Sequence, residues 1–224
     1  MNLNKHQEFF DPTQVNEEIH IIGCGAIGST VAEMLTRLGF EHLHLYDFDT
    51  VTSHNITNQM FRTKDIDKLK TESLAEILKD INPDIRLELH NEGYNEYTRL
   101  AGIVFIAVDS IELRKEIVTQ QRYNKAIRFV IDCRMELTSA QSYAAEWEDE
   151  TAITKLLGTM DFTSEEAKEA TPVSACGTTL SVTPTVRAIV CFAISNLINY
   201  LKGQGYKTLM IVDPFNNTVV CFPD

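Results

Sequence analysis

A glycine-rich turn between an apolar segment and an amphipathic one constrains the fold of this chain more than any other feature. Residues 18–22 predict a short strand, residues 23–28 are Gly-Cys-Gly-Ala-Ile-Gly, and an apolar stripe with helical spacing follows as far as Gly39. In a strand–turn–helix unit, glycines permit the tight turn, the approach of the backbone to a phosphate, and the packing of helix on strand. Unpaired N–H groups at the start of the helix also attract an anion. The turn residues that we expect to contact a nucleotide are Gly23, Gly25, Ala26, Ile27 and Gly28.

Strand-like and helix-like segments alternate after this turn. The predicted strands cover residues 42–46, 85–89, 103–108 and 127–131, and the predicted helices cover residues 65–81 and 111–123. Helical connections of this length between strands require right-handed crossovers and produce a mostly parallel sheet with helices on both faces. The sequence therefore predicts an α/β, Rossmann-like fold.

The C-terminal part of the chain departs from this alternation. Residues 158–179 are rich in Thr, Ser, Glu and Ala and predict a loop. A long apolar helix is predicted to start at Thr183-Pro184, because proline is favoured at the first helical position. Residues 209–212 and 219–222 predict antiparallel C-terminal strands joined by a turn at Asn216-Asn217.

Length and composition exclude several other classes of protein. The 224 residues fit one domain, with a nucleotide-binding half (1–150) and a second part (151–224) that holds the crossover loop, long helix and hairpin. The longest apolar runs, such as 103–108, are too short to span a bilayer, and we see no secretion signal. A net charge of −12 argues against a nucleic-acid partner, because phosphate binding needs clustered Lys and Arg. The five scattered cysteines, without a Cys-x-x-Cys pair, favour a reducing cytoplasm over a disulfide framework.

An acidic residue at the end of the second predicted strand supports the interpretation of the glycine turn as a nucleotide site. Asp47 follows this turn at a position where a carboxylate accepts hydrogen bonds from ribose hydroxyls. The pattern suits NAD as well as ATP, and a turn that serves packing alone is the alternative. Residues 23–47 therefore predict a nucleotide without identifying it.

The stretch that follows separates the two nucleotides by its resemblance to a known family. Three segments carry the resemblance: Asp-Phe-Asp-Thr-Val at 47–51, His-Asn-Ile-Thr-Asn-Gln at 54–59, and Lys-Leu-Lys-Thr-Glu at 68–72. They resemble the Asp-x-Asp-x-Val, Ser-Asn-Leu-x-Arg-Gln and Gly-x-x-Lys segments of the ThiF/MoeB/HesA adenylyltransferases, which activate ubiquitin-like and sulfur-carrier proteins. Looser similarities are Ile81-Asn82-Pro83, Asp109-Ser110 with Arg114, and Cys176-Gly177 before Pro184.

This resemblance implies ATP-dependent adenylylation of the C-terminal carboxylate of a small ubiquitin-like or sulfur-carrier protein. It also implies a Gly-Gly-type C-terminus on that partner and a homodimeric enzyme. Asp109 would bind Mg²⁺, a cation that prefers carboxylate and phosphate oxygens. Attack of the carboxylate on the α-phosphate needs positioning and charge neutralisation more than acid–base chemistry. Besides the glycine turn, the residues assigned to ATP are Asp47 (on the ribose), Asp49, Asn55, Asn58, Gln59 and Lys70.

Several of these residues also have a simpler interpretation. Lys70 belongs to a helix rich in Lys and Glu and could lie on a solvated face, and Asp109 could cap the helix that follows it. Cys176 is a candidate nucleophile for a thioester or acyl-disulfide step, or else a buried structural thiol. Cys191 lies on the apolar helix and is expected in the core.

The chain lacks one positively charged side chain that the family pattern contains. Asn58 occupies the position of the arginine in the family's Asn-Leu-x-Arg-Gln segment. Arg62 lies one helical turn further on, so a helix would place both side chains on one face. We therefore expect Arg62 to supply the missing charge at the phosphates, with an exposed surface arginine as the alternative.

Two other functions stay open at this level. A non-catalytic relative that binds a nucleotide or a partner protein would tolerate Asn58. An NAD-dependent oxidoreductase would explain residues 23–47 but would leave residues 55–70 without a purpose.

Overall fold

One central sheet organises the molecule, whose computed structural model describes residues 1–170, 172–173 and 180–222. The strands are β1 (Ile19–Ile22), β2 (His42–Tyr46), β3 (Arg86–His90), β4 (Gly102–Ile106), β5 (Ile127–Met135), β6 (Ala140–Glu146), β7 (Leu209–Asp213) and β8 (Thr218–Phe222). They lie in the order β3-β2-β1-β4-β5-β6-β7-β8. Neighbours from β3 to β5 are parallel, and neighbours from β5 to β8 are antiparallel. This topology confirms the predicted Rossmann-like sheet with antiparallel C-terminal strands.

Helices cover both faces of this sheet. They are α1 (Ala26–Leu38), α2 (Lys70–Ile81), α3 (Ile111–Gln121), α4 (Glu150–Gly158), α5 (Ser164–Ala170) and α6 (Thr183–Leu201). Because successive strand residues point to opposite faces, Ile21 joins the core beneath α1, α2 and α6, whereas Ile22 joins the core beneath α3 and α4. The predicted arrangement of helices on two faces is therefore confirmed.

The second helix begins later than its sequence pattern predicts. α2 starts at Lys70 rather than at residue 65. Asp65 ends a 3-10 turn, Thr63–Asp65, in which its carboxylate accepts the N–H group of Arg62 at 2.8 Å. Asp67 then adopts a φ angle of 69°, which a continuous right-handed helix does not accommodate. The shift makes Lys70 the first helical residue.

Regular structure also occupies segments where the sequence predicts none. β5 continues to Met135, and β6 forms despite its three alanines because it pairs with β5 on one side and β7 on the other. The predicted loop over residues 158–179 is wrong for residues 164–170, which form α5. Thr163 and Glu166 cap this helix: Glu166 Oε2 accepts the Thr163 N–H at 2.7 Å, and Thr163 Oγ1 accepts the Glu166 N–H at 3.1 Å.

The long C-terminal helix α6 begins at Thr183, as its Thr-Pro start predicts. By length and composition alone, α6 could cross a membrane, since its mean hydropathy is 1.2. It is longer than the apolar runs considered above, which are too short to do so. Half of the segment is buried, and Ile189, Ala193 and Leu197 are fully inaccessible. A helix buried in a protein core passes the same test, so α6 is weak evidence for a membrane span.

Candidate functional site

A cleft of about 860 Å³ opens at the carboxyl ends of the parallel strands. β1 lies between β2 and β4, so the connections from these strands diverge here, and open α/β sheets bind ligands at such a switch point. The cleft is lined by most of the candidates from the sequence: Gly23, Gly25, Ala26, Ile27, Asp47, Asp49, Gln59, Lys70 and Asp109.

The three glycines of the turn are required for different physical reasons. Gly23 has a φ angle of 93°, and a Cβ atom there would lie 2.8 Å from the backbone of Ala107. A Cβ atom on Gly28 would lie 1.8 Å from the carbonyl oxygen of Gly23, so α1 approaches β1 this closely only with glycine. Around Gly25, no described residue lies within 4 Å of an added Cβ. Gly23 and Gly28 therefore serve packing, whereas Gly25 leaves open space for a ligand in the cleft.

Alanine at Gly25 and at Gly28 should separate ligand binding from folding. We expect Gly28→Ala to lower the free energy of unfolding by about 3 kcal/mol, because the backbone of the turn must move away from the new methyl group. Gly25→Ala should change stability by less than about 1 kcal/mol, but weaken ATP binding roughly tenfold by filling the space beside the helix N-terminus. Urea denaturation and calorimetric titration with ATP measure the two effects. Unchanged ATP affinity in Gly25→Ala would contradict the expectation that the glycine turn contacts the nucleotide.

Two carboxylates and one ammonium group form the centre of the cleft. Asp47 accepts hydrogen bonds from the N–H groups of Cys24 at 2.7 Å and of Asp49 at 2.8 Å. The Lys70 Nζ atom donates to Asp49 Oδ2 at 2.6 Å and lies 4.0 Å from Asp47 Oδ1. Burial raises the pKa of Asp47, and the Lys70 ammonium opposes that shift. Lys70 is only 7% exposed, so it does not belong to a solvated helix face.

Asp109 follows β4 and projects at the same edge of the sheet. The residue is exposed and lines the cleft. Ser110, not Asp109, caps α3, since Ser110 Oγ accepts the Leu113 N–H at 3.1 Å. The alternative interpretation of Asp109 as a helix cap is therefore not what the structure shows. An exposed carboxylate on the cleft is a donor that suits Mg²⁺.

The three polar residues of the 54–59 segment have different environments. Asn55 Oδ1 accepts the Thr52 N–H at 2.8 Å and caps a 3-10 turn, Ser53–Thr57, so this oxygen has a local structural partner. Asn58 donates from Nδ2 to Ser181 Oγ at 2.7 Å. Gln59 lines the cleft, and its buried Oε1 has no hydrogen-bond partner among the described residues. Of these three side chains, Gln59 is the one that lines the cleft.

Arg62 does not occupy the position that its spacing from Asn58 predicts. The helical turn assumed between them is absent, because one 3-10 turn ends before Asn58 and another begins after Arg62. Arg62 Nε donates to Asp65 at 2.8 Å, and its Nη1 donates to Asp80 at 3.1 Å. Arg62 is also not among the residues that line the cleft. The prediction that Arg62 shares a face with Asn58 is therefore wrong.

Removing the Arg62 side chain should affect stability rather than nucleotide binding. In Arg62→Ala the Asp65 carboxylate loses its charged partner, and we expect a loss of about 1–3 kcal/mol in the free energy of unfolding. The affinity for ATP, measured by calorimetry, should stay within a factor of two of wild type. A large loss of ATP affinity with unchanged stability would show that Arg62 acts at the nucleotide site after all.

A buried ion cluster on the cleft wall is the main feature that the sequence did not predict. Asp132 is fully buried between Arg114 and Arg134, which are 4% and 7% exposed and line the cleft. Arg134 Nε donates to Asp132 Oδ2 at 2.7 Å, and Arg114 donates to the other carboxylate oxygen and to the Ile106 carbonyl. Two guanidinium groups against one carboxylate leave excess positive charge, which favours an anion in the adjacent cleft. If the predicted strand at 127–131 is extended to Met135, side-chain alternation places Asp132 and Arg134 on the same face of the sheet, and their pairing could be predicted from the sequence.

The cysteines differ in their capacity to act as nucleophiles. Cys24 and Cys133 are buried, and burial raises the pKa of the Cys24 thiol well above its usual value and that of Cys133 to about 12. Neither thiol therefore provides a thiolate at neutral pH. Cys191 is exposed, so its predicted place in the core is wrong. Cys176 lies outside the described residues.

The fold and the cleft define a Rossmann-like α/β protein with a candidate ligand site at the switch point of its sheet. The chain belongs to the ThiF family, whose family model matches residues 13–222. This match confirms the family resemblance that the segments between Gly23 and Lys70 indicate.

The curated relatives match a shorter part of the chain. They include ubiquitin-like modifier-activating enzyme 5 from Dictyostelium discoideum, 46% identical over 76 residues, and from Oryza sativa subsp. japonica, 44% identical over 73 residues. These segments cover 34% and 33% of this chain but 20% and 17% of the relatives. The match therefore spans about a fifth of the length of each relative.

Solved structures match over a larger part of the chain at lower identity. E. coli MccB with ATP is 16% identical, with a TM-score of 0.70, and the match covers 93% of this chain and 64% of that one. The E. coli tRNA N6-threonylcarbamoyladenosine dehydratase TcdA is 16% identical, with a TM-score of 0.65, and the match covers 90% and 94%. At such identities the similarity shows a shared fold.

Proposed function

We propose that this chain binds ATP and transfers its adenylyl group to the C-terminal carboxylate of a small ubiquitin-like or sulfur-carrier protein. The observation that supports this most is the continuity of one cleft, which runs from the glycine turn past Lys70 to Arg134 and β6. The names of the matched relatives agree with this class of substrate. The Gly-Gly-type C-terminus and the homodimer implied by the family resemblance are part of the same proposal.

ATP would occupy the end of the cleft formed by β1 and β2. The N–H groups at the start of α1, beside the open space at Gly25, suit the phosphates, and the Asp47 carboxylate suits the ribose hydroxyls. Lys70 would neutralise negative charge on the phosphates, because its ammonium group is buried at the same end of the cleft. Gln59 brings to this wall an amide oxygen that no described residue hydrogen-bonds.

Asp109 is the residue that would hold Mg²⁺. Its exposed carboxylate accepts no hydrogen bond from a described residue, which leaves both oxygens available for a hard cation. When bound, Mg²⁺ lowers the negative charge that the phosphates present to an approaching carboxylate.

The carrier's C-terminal tail would enter from the opposite end. Phe162, Leu180 and Ile211, from the second part of the chain, line the same cleft, and Ile211 lies on β7, well away from β1 and β2 in the strand order. The excess positive charge of Arg114 and Arg134 would draw the terminal carboxylate inward. We therefore propose that residues 1–150 and 151–224 act as one domain, with the nucleotide held by the first part and the tail covered by the second.

The chemistry requires little from the protein beyond placement. A carboxylate oxygen attacks the α-phosphorus, the bond from that phosphorus to the bridging oxygen breaks, and pyrophosphate leaves with the electron pair. The product is an acyl-adenylate. Because the attacking carboxylate is already ionised at neutral pH, no general base is needed, and positioning with charge neutralisation accounts for the catalysis.

ATP–pyrophosphate exchange tests this proposal. With a panel of small proteins that end in Gly-Gly, we expect exchange with at least one member and none with its C-terminally amidated form. ATP binding without exchange for any member would favour a non-catalytic relative. Binding of NAD with no binding of ATP would favour an oxidoreductase, and either result would overturn the proposed reaction.

A further inference from the structure

Histidine and glutamate side chains cluster on β1, β2 and β3 beside one wall of the cleft, since Tyr46 both lines the cleft and stacks on His90. The register places His20 beside His44 and places His44 beside Glu88. Their rings stack: the His20 and His44 centroids lie 4.2 Å apart, and the His90 and Tyr46 centroids lie 4.0 Å apart. Glu88 is exposed and His90 partly exposed, because β3 is an edge strand, whereas His44 is buried. The cluster therefore has a buried base and an open rim.

Two of the three ligand separations in this cluster match those of a tetrahedral metal site. His44 Nδ1 lies 3.3 Å from His90 Nε2 and 3.6 Å from Glu88 Oε2. In a tetrahedral zinc site with bonds of 2.0–2.2 Å, ligand atoms are separated by about 3.3–3.6 Å. The potential ligand atoms of His44, Glu88 and His90 all lie within 4.8 Å of one another. These three groups are thus close to metal-binding distances without rearrangement of the strands.

Each of these two histidines has a second ring nitrogen, which points away from the candidate metal position. In both residues this second nitrogen faces a carboxylate. His44 Nε2 is buried, has no hydrogen-bond partner in the described part of the chain, and lies 3.6 Å from Glu18 Oε2. His90 Nδ1 lies 4.0 Å from Glu92 Oε1. A metal-binding histidine usually donates its other N–H group to such a carboxylate, which fixes the ring and raises its basicity. Both imidazoles have this partner nearby.

The Glu88 carboxylate is oriented by a chain of hydrogen bonds on its other side. Arg86 Nη2 lies 3.2 Å from His42 Nδ1, and since a guanidinium only donates, Nδ1 is the acceptor. The proton of a neutral His42 is then on Nε2, which donates to Glu88 Oε1 at 3.1 Å. This arrangement leaves Glu88 Oε2 directed toward His44.

We propose that His44, His90 and Glu88 form a binding site for Zn²⁺ or a divalent transition metal of similar chemistry. Two imidazole nitrogens and one carboxylate are the donors that such metals prefer, and water completes the coordination at the open rim. A bound ion joins the edge strand β3 to β2. The site uses no side chain that is assigned to ATP, and among the described residues its one direct link to that set is the His90 carbonyl, which accepts the Asp47 N–H group at 3.2 Å.

A second group of residues provides the alternative arrangement. Glu18, His42 and His44 also bring potential ligand atoms within 4.8 Å of one another. His44 is common to both groups but would use Nδ1 in the first and Nε2 in the second. Substitutions at His90 and at His42 therefore distinguish the two, since each residue is a ligand in only one arrangement.

Calorimetric titration of the EDTA-treated protein with Zn²⁺ tests the site, with Co²⁺ absorption as a second probe of tetrahedral geometry. We expect one ion per chain, a loss of affinity of at least 100-fold in His90→Gln and Glu88→Gln, and a loss of about tenfold in Glu18→Gln, which removes only an orienting carboxylate. His54→Gln, at an exposed histidine outside the cluster, is the matched control and should bind as wild type. Circular dichroism confirms that each variant is folded.

Two results would overturn the proposal. One is the absence of saturable Zn²⁺ binding to the folded wild-type chain. The other is a folded His90→Gln variant that binds Zn²⁺ as tightly as wild type, and abolished binding in His42→Gln would then assign the ion to the alternative group.

Discussion

Replacing Lys70 by alanine is expected to lower carrier-dependent ATP–pyrophosphate exchange by about 10²–10³-fold. Lys70 is 7% exposed, and its ammonium lies 2.6 Å from Asp49 and 4.0 Å from Asp47. Its loss leaves Asp47 and Asp49 without a counter-charge beside the position proposed for ATP, so binding and transfer are both opposed. Exchange rates at saturating ATP and at low ATP separate the effect on transfer from the effect on binding.

Lys68→Ala is the matched control for this prediction. Lys68 lies on the same segment, but its ammonium pairs with Glu76 at 3.2 Å on the surface. We expect its exchange rate to stay within about twofold of wild type, because exposed ion pairs contribute little. A folded Lys70→Ala variant with full exchange activity would remove Lys70 from the mechanism.

Replacing Asp132 by alanine should cause the largest loss of stability. Asp132 is fully buried between two guanidinium groups that are themselves almost inaccessible. Removing the carboxylate leaves two buried positive charges without their partner, and breaking such a cluster typically costs about 3–5 kcal/mol. Urea denaturation of Asp132→Ala measures this loss in the free energy of unfolding.

An exposed ion pair provides the comparison for Asp132. Asp161 pairs with Lys115 at 3.0 Å, and its side chain is 73% exposed. We expect Asp161→Ala to change the free energy of unfolding by less than about 1 kcal/mol. Equal stabilities of the two variants would show that the buried cluster is not needed to hold the cleft wall.

The parts of the fold that depend on local pattern could be predicted from the sequence. The glycine turn, the strand at 42–46 and the long helix from Thr183 all follow from short-range periodicity and turn chemistry, and the structure has each of them. β6 could not be predicted in this way, because its alanine-rich sequence forms a strand only through its neighbours β5 and β7.

The candidate site shows the same division between local and long-range information. Asp47, Lys70 and Asp109 are far apart in the sequence, but each lies near a strand end or a helix start, and the parallel sheet brings them together. Helical spacing fails to predict the position of Arg62, because the nearby Asp65 carboxylate binds its guanidinium and closes a 3-10 turn. The spacing between Asn58 and Arg62 in the sequence contains no information about this competing contact.

Transfer of oxygen from the carrier to AMP tests the central claim most directly. If a carboxylate oxygen attacks the α-phosphorus, a carrier labelled with ¹⁸O at its C-terminal carboxylate forms a labelled acyl-adenylate. Hydroxylamine then attacks the acyl carbon and releases AMP with the bridging oxygen. Mass spectrometry should detect one ¹⁸O atom in the AMP released with a carrier that supports exchange. AMP that carries no ¹⁸O would show that water, not the carrier, attacks the phosphorus and would contradict the account.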